Sequence, residues 1–381
     1  MSRRKRTIFI ASLAVGVFLL AAAVAYAAGM FPDVASTDTH FDAIEWAAEN
    51  EIVNGYADGN FGPYDTIKRG QAATMFKNYD EYLHSTLEES SACADCHNAG
   101  TVLTGKVAQF NMSVHGAGVE GESAFELAWA EGTRASCAGC HSGNGFSDMI
   151  AAGQNPSQVT VAQTDPTRVD CRACHEIHET FTGADWALRT VAPVDYYAGV
   201  LVGKTFNGGA GNLCANCHQP RVAFAGDVTL SGGGAGRYGP HHGPQSAMLQ
   251  GIVGAGAPAS AGAHYMVTDT CVGCHMGAND THLFEVNLAN NCKPCHGDDI
   301  DDKVDELQAE VQALADELKA KLVAAGMLNE ETEASLAGTW TGDKAAALWD
   351  YRTIIVEDKS LGVHNPNYTK ALLNAGIAAF D

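Results

Sequence analysis

Six copies of the motif Cys-x-x-Cys-His account for every cysteine in the sequence. Two thiols separated by two residues can form thioether bonds to the vinyl groups on one edge of a porphyrin. The next residue can then bind the iron through its imidazole. The spacing therefore predicts six covalently attached haems c. The residues concerned are Cys93, Cys96, His97, Cys137, Cys140, His141, Cys171, Cys174, His175, Cys214, Cys217, His218, Cys271, Cys274, His275, Cys292, Cys295 and His296.

Zinc sites and redox-active disulfides also use closely spaced cysteines, and twelve cysteines in a secreted chain would ordinarily suggest disulfides. Neither kind of site needs a histidine directly after the second cysteine in every copy. The sequence is therefore interpreted as that of a hexahaem cytochrome c. In this interpretation the cofactors supply the core of a glycine-rich, loop-like region.

Each haem iron has a second axial position, and the group that fills it decides the chemistry. A second side chain leaves a haem that only transfers electrons, whereas an open position could bind O₂, nitrite or hydroxylamine. Among the histidines outside the motifs, His40 is expected to ligate nothing and His84 stays undecided. The predicted second ligands, with the choice between residues 241 and 242 left open, are His115, His178, His241, His242, His264, His282 and His364.

His178 follows the third motif by only three residues, in the stretch CRACHEIH. The backbone of that motif is held along one porphyrin edge with His175 beneath the iron, so the chain is still on the proximal side at residue 178. We therefore expect His178 to bind the iron of a neighbouring haem, which would bring two haems close together. The alternative is a surface or hydrogen-bonding histidine.

Several segments around these histidines resemble the multihaem cytochrome lineage that includes pentahaem nitrite reductases and octahaem hydroxylamine oxidoreductases. They are SVHG at 113–116, GPHHGPQ at 239–245, THLF at 281–284 and GVHNP at 362–366. The resemblance covers about residues 110–370 and implies closely packed haems with two histidine ligands each. The Cys-x-x-Cys-Lys motif of the catalytic nitrite reductase haem does not occur in this sequence, and no cross-linking tyrosine is identified. Both points favour an electron carrier.

Residues 31–78 form a different kind of segment. Apolar spacing predicts a helix over 41–51, a glycine-rich loop follows, and a second helix is predicted from about 68 to 78. The stretches FPDV at 31–34, NGYADGNFGP at 54–63 and KRGQ at 68–71 resemble an S-layer homology domain. That resemblance implies binding to cell-wall polysaccharide, with Arg69 as the contact. The family commonly has three tandem copies and an acidic residue where this chain has Gln71, so a packing or assembly module is the alternative.

The chain begins with a basic run at 2–6 and an apolar stretch at 7–25 that ends in a small-residue site. This pattern predicts a signal peptide over 1–28, with an uncleaved anchor helix as the alternative. Removal of its four cations changes the formal net charge from −22 to −26. Such an acidic chain disfavours nucleic acid as a partner and favours cationic partners or metal ions.

The remaining chain is divided into an S-layer homology domain (29–86), a hexahaem domain (87–300) and a helical C-terminal segment (301–381). Apolar residues on one face predict a helix over 302–325, and shorter helices are predicted around 344–356 and from 368. The expected fold is mainly α-helical and irregular with little β structure. It consists of a small helical domain, a haem-cored domain and a tail that carries a distal ligand.

These observations predict a secreted electron-transfer protein at the cell surface or cell wall. Its six closely packed haems would pass electrons to extracellular metal acceptors, to other cytochromes or to copies of itself, with a head-to-tail filament as one arrangement. The alternative is a reductase or oxidase of nitrite, hydroxylamine or tetrathionate at one open haem. A third interpretation is a structural component of the wall.

Overall fold

The computed structural model describes residues 29–89, 102–116, 128–241, 243–277 and 279–381. The chain divides into two compact units, Met1–Thr101 and Val102–Asp381. The predicted signal peptide lies outside the described residues, and the predicted domain boundaries stay predictions.

The α-helices are α1 (Phe41–Glu49), α2 (Arg69–Glu89), α3 (Val102–Met112), α4 (Ala135–His141), α5 (Gly143–Ala151), α6 (Cys171–Cys174), α7 (Gly211–Ala215), α8 (Gln245–Leu249), α9 (Thr270–His275), α10 (Lys293–His296), α11 (Ile300–Ala324), α12 (Gly342–Tyr351) and α13 (Pro366–Ala378). The strands are β1 (Val194–Asp195), β2 (Thr205–Phe206), β3 (Val228–Leu230) and β4 (Gly338–Trp340). Strands β1 and β2 pair antiparallel, as do β3 and β4. Short 3₁₀ and π turns complete the chain.

The first unit is a small helical module with its own apolar core. The core residues are Phe31, Val34, Ile44, Ala48, Ile52 and Val53. The carboxylate of Asp33 accepts hydrogen bonds of 2.8 Å from the backbone N–H groups of Phe61 and Gly62, which fastens the glycine-rich loop to the start of the unit. These two bonds lower the pKa of Asp33. Helix α2 begins at Arg69, where Gln71 accepts a hydrogen bond from the backbone N–H of Lys68.

The second unit contains short elements that carry the second to sixth Cys-x-x-Cys-His motifs, followed by three longer helices. Helix α11 buries Val311, Leu318 and Leu322 completely, as its apolar face predicted. These side chains pack in one core with Phe206 and Met248 from the preceding region. Apolar side chains of residues 194–253 thus pack against the C-terminal helices, so this region has an apolar core in addition to any haems.

Hydrogen bonds fasten the loop at 253–256 to the C-terminal helices. The indole N–H of Trp349 donates to the carbonyl of Val253 at 2.9 Å. The buried carboxylate of Asp350 accepts from the backbone N–H groups of Ala255 and Gly256, each at 2.7 Å. Strand β3, which lies between the fourth and fifth motifs, also pairs with β4, which lies after the sixth.

The mainly helical and irregular fold is confirmed, since strands within the described residues occur only in two small two-stranded sheets. The predicted helix over 302–325 corresponds to α11. The one predicted around 344–356 corresponds to α12 and a π-helical turn that follows it, Arg352–Asp358. The second helix of the first unit runs further than expected, to Glu89.

Candidate functional site

Five of the six motifs lie among the described residues, and each forms a single helical turn or the end of a helix. In the third motif the backbone N–H of His175 donates to the carbonyl of Cys171 at 2.9 Å, and in the fourth His218 donates to Cys214 at the same distance. This turn brings two sulfurs and one imidazole close together. The ten described cysteines are free thiols, and they stand for the sulfurs that become thioethers when haem is attached.

Four motif histidines each face a histidine from a distant part of the chain. The ring centroids of His115 and His218 lie 6.1 Å apart, and those of His175 and His282 lie 6.2 Å apart. For His264 and His296 the distance is 5.9 Å, and for His275 and His364 it is 6.3 Å. The ring planes meet at 87°, 28°, 82° and 46° in the same order.

These separations test whether the residues fit a haem iron. An imidazole nitrogen binds a metal at about 2 Å and the ring centre lies about 1 Å behind it, so two imidazoles on opposite sides of one iron have centres about 6 Å apart. The observed range of 5.9 to 6.3 Å agrees with this value. Direct ring stacking would bring two parallel rings closer. The four pairs therefore fit iron ligation from both sides.

Helix α3 positions two of the non-motif histidines. His115 follows the helix directly, after a turn in which the hydroxyl of Ser113 donates to the carbonyl of Phe110 at 2.7 Å. The side chain of Gln109 accepts from the backbone N–H of His282 at 3.0 Å, and Lys106 donates to the backbone and carboxylate of Asp280. One helix thus fixes the partners of both His218 and His175.

The segment GVHN at 362–365 serves two other pairs. The carbonyl of Val363 lies 2.6 Å from Nδ1 of His264, which faces His296. The next side chain, His364, faces His275. Asn365 then caps helix α13 by accepting from the backbone N–H of Tyr368. Helix α13 therefore holds the ligand of one candidate haem and the orienting carbonyl of another.

Six of the eight paired histidines have a described acceptor at Nδ1, which leaves Nε2 for iron. The acceptors are the carbonyls of Trp186 for His175, Phe284 for His275, Asp280 for His282 and Val363 for His264, the amide oxygen of Gln245 for His218, and the carboxylate of Asp358 for His364. Of these six acceptors, only the carboxylate of Asp358 carries a charge. The hydrogen bond fixes both the tautomer and the ring orientation.

Burial favours the neutral form of four of the paired imidazoles, and the neutral form is the one that binds metal. Burial, together with His218 and His275, lowers the pKa of His115 to about 4. It also lowers the pKa of His218, His275 and His282. His364 differs, since burial opposes its positive charge but the neighbouring carboxylate of Asp358 raises its pKa.

Phe284 lies at the junction of three of the four pairs. Its ring meets the ring of His115 edge-on at 4.9 Å and lies 5.9 Å from the ring of His282. Its carbonyl accepts from Nδ1 of His275 at 2.9 Å. The residue has φ +59°, a left-handed conformation that a phenylalanine rarely adopts. Sequence reasoning missed this residue, although it ends the segment THLF that was noted for its histidine.

The motif sulfurs also approach one another. The sulfur of Cys140 lies within hydrogen-bonding reach of that of Cys217, and the sulfur of Cys214 lies within reach of that of Cys271. The fourth motif therefore contacts the second motif through one of its sulfurs and the fifth motif through the other. Haems attached to adjacent sulfurs would be close neighbours, which is the arrangement that electron transfer between haems requires.

His178 projects from a loop that is wound around one carboxylate. The buried side chain of Asp185 accepts hydrogen bonds from the backbone N–H groups of His178, Thr180 and Phe181 and from the Thr180 hydroxyl. His178 has φ +65°, and its ring stacks on Phe181 with centroids 5.4 Å apart. The ring that faces His175 is that of His282.

The other predicted site residues either lie away from the four histidine pairs or fall outside the part of the chain that the structure describes. Cys93, Cys96, His97, His242 and the side chain of His84 fall outside the described part of the chain. His141 ends helix α4, and His241 lies in a loop with φ +69°. Neither belongs to the four pairs. Arg69 is exposed at the first position of α2.

Comparison with known protein families gives two matches. Residues 31–73 match the S-layer homology domain, and residues 74–228 match the family described as outer membrane cytochrome MtrC/MtrF-like, domains II/IV. The second match includes the first four haem motifs. It is a family of outer-membrane cytochromes and differs from the nitrite reductase and hydroxylamine oxidoreductase lineage, so that assignment from the histidine segments is not supported.

Among solved structures, the crystal structure of the outer cell wall cytochrome OcwA is similar, with 23% identity and a TM-score of 0.47. The likeness covers 72% of this chain and 50% of that one, so this chain matches about half the length of that cytochrome. A search of curated proteins finds no significant match. Within the described residues, no helix has the length and apolar character needed to cross a membrane.

The chain therefore combines an S-layer homology domain with a multihaem c-type cytochrome region. Its location is the cell surface, at the cell wall.

Proposed function

We propose that this protein conducts electrons through six closely packed haems c, each bound by two histidines, from the cell to extracellular acceptors. Metal oxides, soluble metal complexes and other cytochromes are the proposed acceptors. The single observation that carries the proposal is the set of four opposed histidine pairs with ring centroids 5.9 to 6.3 Å apart. A haem with both axial positions filled transfers electrons and has no position for a substrate.

In this proposal the pairs are His115/His218, His175/His282, His264/His296 and His275/His364. Haem supplies a reversible one-electron couple when it is attached at these positions. The protein holds six of these imidazoles in one tautomer through their Nδ1 hydrogen bonds. The haems of the first two motifs take their second ligands from the remaining candidates, His84, His178, His241 and His242.

The short separations between motifs support conduction rather than isolated redox sites. The sulfurs of Cys140 and Cys217, and those of Cys214 and Cys271, are hydrogen-bonding neighbours. Phe284 contacts the ligands of two candidate haems and orients a ligand of a third. Haems attached at these motifs would therefore be close enough for electrons to pass between them over a short distance.

A head-to-tail filament is the oligomeric arrangement that the surplus of histidines allows. Four of the candidate second ligands already face a motif histidine of the same chain. In this arrangement one histidine, with His84 as the candidate, would ligate a haem in the next subunit. Electron micrographs of purified protein test this arrangement, and a field of monodisperse particles alone would contradict it.

We also propose that the first unit binds cell-wall polysaccharide through Arg69. The side chain is exposed, and Gln71 keeps the cap of α2 intact where the family has an acid. Sedimentation with purified wall material should be weakened by Arg69→Ala. Lys77→Ala is the matched control, because Lys77 is an exposed cation of the same helix that already pairs with Glu81. Equal loss of binding in both variants would contradict a specific role for Arg69.

The experiment that tests the electron-transfer function uses the full-length, haem-loaded protein. Chemically reduced protein is mixed with a soluble ferric complex or with a suspension of ferric oxide, and the haem absorption bands are followed in time. Complete reoxidation of all haems is expected. Turnover of nitrite, hydroxylamine or tetrathionate, together with a high-spin ferric signal, would instead establish an enzyme with an open haem.

A further inference from the structure

Asp358 gives one candidate haem ligand an environment that differs from the others. Its Oδ1 lies 2.7 Å from Nδ1 of His364, and its Oδ2 accepts a hydrogen bond from the hydroxyl of Ser360. The side chain of Asp358 has no exposed surface, and that of His364 is 17% exposed. If iron takes Nε2 of His364, the proton sits on Nδ1 and is donated to a buried carboxylate.

The five other paired histidines whose Nδ1 contact is described face neutral acceptors. His175, His264, His275 and His282 donate to backbone carbonyls. His218 donates to the amide oxygen of Gln245 at 3.2 Å. The contrast between Asp358 and Gln245 is the sharpest, because both are side chains that occupy the same position relative to an axial imidazole.

A carboxylate at Nδ1 makes an imidazole a stronger electron donor, because the charged acceptor draws the proton away from the ring. The negative charge also stabilises ferric iron more than ferrous iron, and it does so strongly because a buried site is weakly screened. Both effects favour the oxidised form and lower the reduction potential. Axial ligands and the hydrogen bonds around them are the protein's main means of tuning haem potential.

We propose that Asp358 makes the haem between His275 and His364 the one with the lowest potential among the four whose axial pairs are described. The proposal rests on the proposed bis-histidine ligation. Asp358 acts as a positioning residue through His364 and does not touch the iron. The sulfur of Cys271, in the same motif as His275, adjoins that of Cys214, so an electron that moves along these haems meets an uphill step there.

The test is Asp358→Asn in the full-length, haem-loaded protein. Asparagine keeps the shape and an oxygen acceptor for Nδ1 but removes the charge. The potentials are measured by redox titration followed by paramagnetic resonance. The angle between the two imidazole planes shapes the low-spin signal, so the pair at 46° is distinguished from those at 28°, 82° and 87°.

We expect the ratio of reduced to oxidised haem for this signal to rise at least tenfold at a fixed ambient potential, which is about 59 mV for a one-electron couple. The reciprocal variant Gln245→Glu should shift the haem of His218 in the opposite direction. Asp305→Asn, which removes an exposed acid from α11, is the control for net charge and should move no signal by that amount.

Two outcomes separate this inference from the proposed function. His364→Ala should convert one low-spin haem to high spin. If it does so while Asp358→Asn leaves every potential unchanged, the ligation stands and the role of Asp358 is refuted. If His364→Ala leaves the spin state unchanged, the proposed axial pair itself is wrong.

Discussion

Removal of one distal histidine should open one haem and leave the rest intact. His115 is the best choice, because it faces His218 at 6.1 Å and its ring is packed edge-on against Phe284. Phe284 has no atom that can bind iron, so no neighbouring side chain in that contact replaces the lost imidazole. In His115→Ala, solvent water should take the vacated position and produce a high-spin ferric haem.

The size of the effect follows from the motif count. One haem in six changes, so about one sixth of the ferric iron should convert from low to high spin. The low-spin signal that is lost should be that of nearly perpendicular rings, since His115 and His218 meet at 87°. The haem stays attached through Cys214 and Cys217, so the covalent haem content of the chain should not change.

Quantitative paramagnetic resonance of the oxidised variant measures this fraction, and mass spectrometry measures the haem content. His40→Ala is the matched control, because His40 lies in the first unit and is expected to ligate nothing. The control should stay fully low-spin. A low-spin His115→Ala variant, or loss of more than one low-spin signal, would refute the assignment of His115 to His218.

Three further outcomes are expected. Leu318→Ala, at a completely buried position of α11, should lower the free energy of unfolding by about 2–5 kcal/mol in urea titrations. Phe284→Leu should alter the low-spin signals of the His115 and His282 haems together, and a change in only one would contradict the shared contact. Burial raises the pKa of Asp350 to about 7. The folded chain then holds this proton more tightly than the unfolded chain, so stability should fall by up to about 4 kcal/mol as pH rises from 4 to 7, and Asp350→Asn should abolish that slope.

The motifs were predictable because their chemistry is local. Two cysteines and a histidine on one helical turn can be recognised without knowledge of the tertiary structure, and all six motifs are visible in the sequence. The helix α11 was equally accessible, since its buried residues Val311, Leu318 and Leu322 repeat at helical spacing.

The axial pairs could not be read from the sequence, although their candidates could. His115 and His218 are about a hundred residues apart, as are His175 and His282, and only the docking of α3 brings them together. Spacing gives no rule for such long-range partners. The expectation that His178 serves a haem other than its own remains a prediction.

The groups that orient the ligands were also missed. Asp358 lies six residues before His364, and Gln245 lies far from His218 in the sequence, so neither follows a motif. Four of the described acceptors are backbone carbonyls, which carry no residue signature. The apolar residues around Phe206 and Met248 looked too sparse to form a core, because their partners come from the C-terminal helices.

Cyanide titration of the oxidised, haem-loaded protein tests the central claim most directly. Cyanide binds ferric haem where an axial position is open, and it shifts the absorption and paramagnetic resonance spectra when it does. With every iron held by two imidazoles, the spectra should be entirely low-spin and should not change on addition of cyanide. A high-spin component that binds cyanide stoichiometrically would contradict the account and identify a haem that can perform catalysis.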